Sequence, residues 1–235
     1  MLGSVKPETL FIDAGGVLVF PNWARVSDTL ARQGVIVAPD VLAAAELPAK
    51  RELDIGRTVV HTSGEQHGWL YFNRVLAEAG IAQTDRTDAA LAELHRYHQE
   101  LNLWEHVPSD VVPALARFRA LGLPLVVVSN ANGKLPVLFE RIGLAPLVDL
   151  MLDSAIEGVE KPDPRLFQIA LARAGASAAT TLHVGDLYYV DIVGARVAGL
   201  DAVLLDPAGL YEGFDCPRVR SLGELAERLE KDSQG

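Results

Sequence analysis

Leu10-Phe11-Ile12, Leu125-Val126-Val127-Val128 and Ala202-Val203-Leu204-Leu205 are stretches that are apolar without alternation. A strand with one wet face alternates polar and apolar residues, so unbroken runs of this length predict parallel strands covered on both faces. With two further β-rich runs, strands are predicted at 9–13, 124–129, 148–153, 181–185 and 201–206. Between them, apolar residues recur at helical spacing over 111–121, 135–142, 164–174 and 191–198. Strands alternating with helices predict an α/β fold with a doubly wound, Rossmann-like parallel sheet.

One interval departs from this rhythm. Residues 21–106 contain helical patterns at 23–33, 39–52, 65–79 and 87–101 and no convincing strand. The interval opens at Phe20-Pro21 and closes at Val107-Pro108. It is expected to form a separate α-helical cap domain, inserted after the first strand and seated over the sheet's carboxyl edge as a lid. Residues 1–20 and 107–235 would then form the α/β core domain.

Composition narrows the field of partners. The 235 residues are 49% hydrophobic, ample for a buried core, and carry a net charge of −10. There is no Lys/Arg run or basic stripe, so nucleic acid is not an expected partner. Neither a signal-peptide pattern nor an apolar run of membrane-spanning length is present, so no membrane association and a cytoplasmic location are expected. Cys216 is the only cysteine, which excludes an intrachain disulfide or a thiolate metal cluster.

The candidate chemistry gathers at the strand ends. Asp13 closes the first strand and is followed at once by Ala14-Gly15-Gly16; Ser129-Asn130 closes the second; Gly185-Asp186 closes the fourth, with Asp191 five residues on. Lys161 opens the segment Lys161-Pro162-Asp163-Pro164 after the third strand. Ligands of open α/β sheets bind beyond the carboxyl ends of the strands, and the backbone of glycines such as Gly16 can approach a substrate closely. Carboxylates brought together need a cation to stay ionised, and hard oxygen ligands favour Mg²⁺. Ser129, the Asn130 N–H and Lys161 would supply donors and positive charge to phosphate oxygens. Each element alone also has a structural reading as a turn, a cap or a loop entering a helix. His183, inside the fourth strand, reads as a buried core histidine, and His95 and His98 as a solvated helix face. His61 and His67 flank the loop-like Thr62-Ser63-Gly64, and Trp69, Leu70, Tyr71 and Phe72 read as packing between cap helices.

In this order and spacing, Asp13, Ser129, Lys161, Gly185-Asp186 and Asp191 resemble the four motifs of the haloacid dehalogenase superfamily, in its group with a helical cap after the first motif. The resemblance implies hydrolysis of a small phosphorylated metabolite through an aspartyl phosphate on Asp13, with Ser129 and Lys161 assisting. It also implies Mg²⁺ held by Asp13, the Gly15 carbonyl and Asp186, with Asp191 in support. The departure is Gly15, where phosphatases of the family carry a second Asp as general acid and base. The main-chain ligand survives this change and the acid does not, a loss worth ~10²–10⁴-fold in rate. Three alternatives stand beside the phosphatase: a catalytically weakened phospho-ligand-binding protein, a phosphonoacetaldehyde-hydrolase-like enzyme with a Schiff base on Lys50, and a metal-free 2-haloacid-dehalogenase-like enzyme.

Overall fold

The structure is a computed structural model that describes residues 6–56 and 65–234, with the side chains of 65–69 and 234 outside the description. His61 and Thr62-Ser63-Gly64 therefore lie outside the described residues, as do the side chains of His67 and Trp69. The chain divides into two compact units, Pro21–His106 and Met1–Phe20 with Val107–Gly235.

The first strand, β1 (Thr9–Ile12), belongs to the larger unit. Four helices then build the smaller one: α1 (Trp23–Arg32), α2 (Pro39–Ile55), α3 (Glu65–Glu78) and α4 (Asp85–Leu101). Local chemistry sets where they start. The Asn22 side chain accepts from the Arg25 N–H to cap α1, Pro39 occupies the first turn of α2, and Thr84 and Thr87 form a reciprocal capping box on α4. Their apolar faces meet in one cluster that includes Val26, Leu30, Leu42, Val75, Leu91, Leu94 and Leu103. Tyr71 and Phe72 join Trp104 in edge-on and tilted ring contacts, so these aromatics pack the helical unit together. Glu46 is buried among them and accepts hydrogen bonds from Trp23 Nε1 at 3.1 Å and the Tyr71 hydroxyl at 2.6 Å.

In the larger unit the chain continues through α5 (Val111–Ala120), β2 (Leu125–Ser129), α6 (Leu135–Arg141), β3 (Leu150–Asp153), α7 (Ser154–Glu157) and α8 (Pro164–Ala174). It ends with β4 (Thr181–Gly185), a π-helical turn Tyr188–Ile192, α9 (Val193–Val197), β5 (Asp201–Leu205), β6 (Arg218–Val219) and α10 (Leu222–Gln234). The six strands pair in parallel in the order β3-β2-β1-β4-β5-β6. Every residue of β1, β2 and β4 is buried, as the continuous apolar runs of β1 and β2 demand. Phe11, Val126, Val128, Leu152 and Leu204 pack with Leu166, Phe167, Ala170 and Ala195 of α8 and α9 in one cluster. Arg117 of α5 grips Glu230 of α10 with two hydrogen bonds of 2.8 and 2.7 Å.

The order of the strands decides where a ligand belongs. From β1 the sheet runs to β2 and β3 on one side and to β4, β5 and β6 on the other. The direction of winding therefore reverses between β1 and β4, and such a switch point opens a crevice beyond the strands' carboxyl ends. Asp13 follows β1 and Asp186 follows β4, on the two sides of that switch.

Candidate active site

The polypeptide turns sharply after β1. The Leu18 and Val19 N–H groups both donate to the Ala14 carbonyl, Gly15 bridges to Val19, and Gly16 takes the left-handed φ of 79°. Gly16, expected to meet substrate with its backbone, donates its N–H to the Val19 carbonyl at 2.8 Å. Gly16 therefore builds the turn that presents Asp13.

The side chains that follow converge on one buried ammonium. Lys161 Nζ lies 2.8 Å from Asp13 Oδ1 and 2.7 Å from Asp191 Oδ1, and only 1% of its side chain is exposed. Ligand oxygens of Asp13, Asp186 and Asp191 all lie within 4.8 Å of one another, and all three residues are buried. Asp13 Oδ1 also accepts from the Ala14 N–H at 2.8 Å. Ser129 is buried at the end of β2. The Asn130 side chain pairs twice with the backbone of Lys161: its amide donates to the carbonyl at 2.8 Å, and its oxygen accepts from the N–H at 2.7 Å. Sequence reasoning credited Asn130 with its backbone donor; the side chain's grip on Lys161 has no signal in spacing.

Asp191, expected in support of the metal, lies within the acidic cluster with Asp13 and Asp186, and its bonding fixes it there. Oδ1 accepts from Lys161 Nζ and His183 Nε2, at 2.7 and 3.1 Å, and Oδ2 from the Asp186 and Leu187 N–H groups, at 3.2 and 3.0 Å. Both oxygens accept from protein donors, so Asp191 is tied to Lys161 and to the Asp186 loop. The π-helical turn folds Asp191 back over β4 to reach these donors. That path passes so close to Gly185 that a Cβ there would stand 2.1 Å from Asp191 Cγ. The glycine of the Gly-Asp pair is thus dictated by Asp191.

Electrostatics follow from the geometry. Burial pushes the Asp13 carboxyl up to about 6; Lys161 opposes the rise, while the Asp191 and Asp186 carboxylates add to it. Burial also works against charge on Lys161 and Asp191, but attraction outweighs it: the Asp13 and Asp191 carboxylates hold Lys161 above its ordinary value, and Lys161, with His183 adding, holds Asp191 well below the usual carboxylate range. His183 is fully buried, and burial lowers its pKa, leaving the imidazole neutral. With all three carboxylates ionised, the cluster carries three negative charges against one positive charge on Lys161. A divalent cation fits that deficit of two, and the donor set is the all-oxygen kind that suits Mg²⁺.

Lys-Pro-Asp-Pro serves structure and site together. The Asp163 side chain caps α8 by accepting from the Arg165 N–H, and Pro164 fills the first turn. Asp153 does comparable work at the end of β3, accepting from the Gly133, Leu135 and Ala155 N–H groups. Other sequence candidates have contacts of their own. His98 Nδ1 accepts from the Leu103 N–H at 3.2 Å and its ring packs on Trp104 at 5.3 Å; His95 Nε2 lies 2.9 Å from the Gln99 amide. Both therefore make local contacts around the end of α4. Lys50 is half-buried on α2, and burial raises the Cys216 thiol above its ordinary pKa, away from the thiolate that a nucleophile needs.

Known proteins resemble this chain in fold and in sequence. Among solved structures, the magnesium-bound hydrolase YfnB of Bacillus subtilis is 21% identical and covers 96% of this chain and 99% of its own, at a TM-score of 0.69. L-2-haloacid dehalogenase RSc1362, also 21% identical, covers 96% and 100% at 0.65. At this identity the likeness establishes the fold. Among curated relatives, the ribulose-1,5-bisphosphate 5-phosphatase of Halopiger xanaduensis is 33% identical over 159 residues, 66% of this chain and 64% of its own. Haloacid dehalogenase-like hydrolase domain-containing protein 3 of Xenopus laevis is 28% identical over 204 residues, 77% and 82% of the two chains. The same protein from Bos taurus matches over 58% of its length, so several of these matches span between half and two thirds of the relative. No helix among the described residues is long and apolar enough to cross a membrane. The family model for haloacid dehalogenase-like hydrolases matches residues 7–199, a span that runs from β1 past Asp191, and the chain belongs to that family.

Proposed function

We propose that the protein is a Mg²⁺-dependent phosphatase that transfers a phosphoryl group from a small phosphorylated metabolite to Asp13 and then to water. The observation that carries this reading is the buried Asp13–Lys161–Asp191 arrangement, with Asp186 alongside at the sheet's switch point. Asp13, the Gly15 carbonyl and Asp186 would hold Mg²⁺, which when bound supplies charge neutralisation and a Lewis acid for phosphoryl oxygens. YfnB, bound to magnesium, shares the fold, and relatives named for ribulose bisphosphate and phosphoserine indicate the substrate class.

Within the chain the roles divide by atom. Asp13 Oδ1 is engaged by Lys161 and the Ala14 N–H, so Oδ2 is the oxygen positioned to attack phosphorus. As the new O–P bond forms, the bond to the leaving oxygen breaks and its electron pair stays on that oxygen. Lys161 holds the nucleophile in place and, with Ser129, stabilises charge on the phosphoryl group. Water then attacks the aspartyl phosphate and regenerates the Asp13 carboxylate. Gly15 has no side chain to protonate the departing oxygen, so the site favours leaving groups that depart as stable anions, such as aryl or acyl phosphates.

The acidic cluster opposes the metal-free dehalogenase alternative, and Gly15 keeps the weakly catalytic phospho-ligand binder as a second reading. A panel of phosphorylated metabolites with aryl and acyl phosphates, assayed with and without Mg²⁺, tests the proposal. Wild type should turn over activated phosphates only with Mg²⁺, and a folded Asp13→Asn variant should turn over none. Binding of phosphorylated ligands without turnover would favour the second reading, and full activity in Asp13→Asn would remove the covalent mechanism.

A further inference from the structure

We infer that His183 is a positioning residue for this site: from inside β4 its Nε2–H holds Asp191, and through Asp191 it sets where the Lys161 ammonium meets Asp13. The inference rests on the proposed role of Asp13 as the reacting group.

His183 stands at the middle of the sheet, in register with Phe11 of β1, fully buried and edge-on to Phe167 at 5.0 Å. An apolar side chain would suit these surroundings better. Moreover, the ring is only half satisfied, because Nδ1 has no hydrogen-bond partner. Buried polar atoms are nearly always paired, so an imidazole that leaves one nitrogen unpaired needs a reason to be there. The reason on hand is its other nitrogen. Nε2 lies 3.1 Å from Asp191 Oδ1, and an ionised carboxylate only accepts, so the neutral ring must carry its proton on Nε2.

That same oxygen receives Lys161 Nζ at 2.7 Å, and Nζ is in turn 2.8 Å from Asp13 Oδ1. His183, Asp191, Lys161 and Asp13 thus form one buried series. Asp191 Oδ2 is fixed by two backbone N–H groups, whereas Oδ1 is fixed by two side chains. Without His183, only the long and flexible lysine would define Oδ1. The carboxylate could then turn about the Oδ2 anchor and carry Nζ away from Asp13. His183 touches neither substrate nor reacting atoms; its effect is on the accuracy of their placement.

Three variants separate this role from packing. The amide nitrogen of His183→Gln reaches about as far as imidazole Nε2 and can donate to Oδ1, the shorter His183→Asn cannot, and His183→Leu fills space without a donor. With p-nitrophenyl phosphate and Mg²⁺, His183→Gln should keep most of the wild-type kcat. His183→Asn and His183→Leu should lose about 10- to 100-fold in kcat, the usual cost of losing a group that orients a site residue, with KM little changed. Wild-type kcat in His183→Leu would overturn the inference, as would equal losses in His183→Gln and His183→Leu.

Nitrogen-15 NMR of the metal-free protein without substrate supplies a readout independent of turnover. The imidazole proton should sit on Nε2, and the Lys161 Nζ signal should stay in place in His183→Gln and move in His183→Asn. A proton on Nδ1, or an unmoved Lys161 signal in every variant that folds, would overturn the inference whether or not the protein is active. Absence of wild-type turnover on every phosphate would instead count against the phosphatase reading, leaving NMR to decide the role of His183.

Discussion

Replacing Gly185 with alanine should disable the site by adding one methyl group. The new Cβ would lie 2.1 Å from Asp191 Cγ, 2.4 Å from its Cβ and 2.5 Å from its Oδ2, all far inside van der Waals contact. A flexible surface side chain would swing aside; Asp191 is fully buried and accepts four hydrogen bonds. Moving it strips Lys161 of one of its two carboxylate partners and leaves the Asp186 and Leu187 N–H groups without their acceptor. Breaking a buried ion pair costs about 3–5 kcal/mol, a large share of the roughly 5–15 kcal/mol that stabilises a typical domain. At about 2–4 °C per kcal/mol for chains of this size, melting of the larger unit should fall by roughly 6–20 °C. Thermal and urea unfolding followed by far-ultraviolet circular dichroism read this directly, and the same samples should have lost turnover. A Gly185→Ala protein within about 0.5 kcal/mol of wild type, the range of an inert surface change, would refute the argument that Asp191 is held rigidly against β4.

Other expectations follow from the same geometry. Asp186→Asn should weaken Mg²⁺ binding by about tenfold or more, worth ~1.4 kcal/mol; calorimetry showing equal affinity would remove Asp186 from the metal site. Gly15→Asp restores a side chain at a residue whose φ, unlike that of Gly16, is not left-handed. It should raise turnover of alkyl phosphates more than of aryl phosphates, approaching ~10²–10⁴-fold if the new acid is well placed, and a folded variant with no selective gain would show that the missing acid is not limiting. In the helical unit, burial raises the Glu105 pKa but hydrogen bonds from Asn22, Tyr97 and Arg25 outweigh it, holding the carboxyl below its ordinary 4.5. A depressed acid contributes stability above its unfolded pKa and loses it as pH falls through the folded value. Acid unfolding followed by fluorescence of Trp23, Trp69 and Trp104, all within residues 21–106, should therefore change in Glu105→Gln, and an identical acid midpoint would contradict this.

The main architecture was legible because burial on both faces leaves an unmistakable trace: β2 reads Leu-Val-Val-Val-Ser and β5 reads Asp-Ala-Val-Leu-Leu. β6 has two residues, Arg218 and Val219, too few to carry any periodicity. The spacing of Leu222, Leu225, Ala226 and Leu229, all buried, is the trace of α10, which strand–helix alternation alone does not demand. At the site, strand-end position and residue type pointed to Asp13, Ser129, Lys161 and Asp186. Spacing could not show how hydrogen-bond capacity is distributed among them. Spacing does not reveal that both Asp191 oxygens accept hydrogen bonds from the protein, or that His183, inside the core, turns Nε2 to Asp191. Such pairings depend on how a π-helical turn brings residue 191 back over residue 183, a tertiary fact with no local pattern.

The double pairing of Asn130 with Lys161 has a mechanical consequence. Two hydrogen bonds of 2.7 and 2.8 Å to one residue's N–H and carbonyl fasten the segment after β2 to the segment before α8, so that the two loops move as one piece. Fluctuations of either loop are then shared, and the lysine's root keeps its bearing on the sheet even though a long side chain separates it from the carboxylates. Asn130 itself is exposed. A position that solvent can reach, and that would ordinarily drift freely in sequence, is thereby bound to a residue able to donate and accept at once: aspartate would set a carboxylate against the Lys161 carbonyl, and leucine would release the joint.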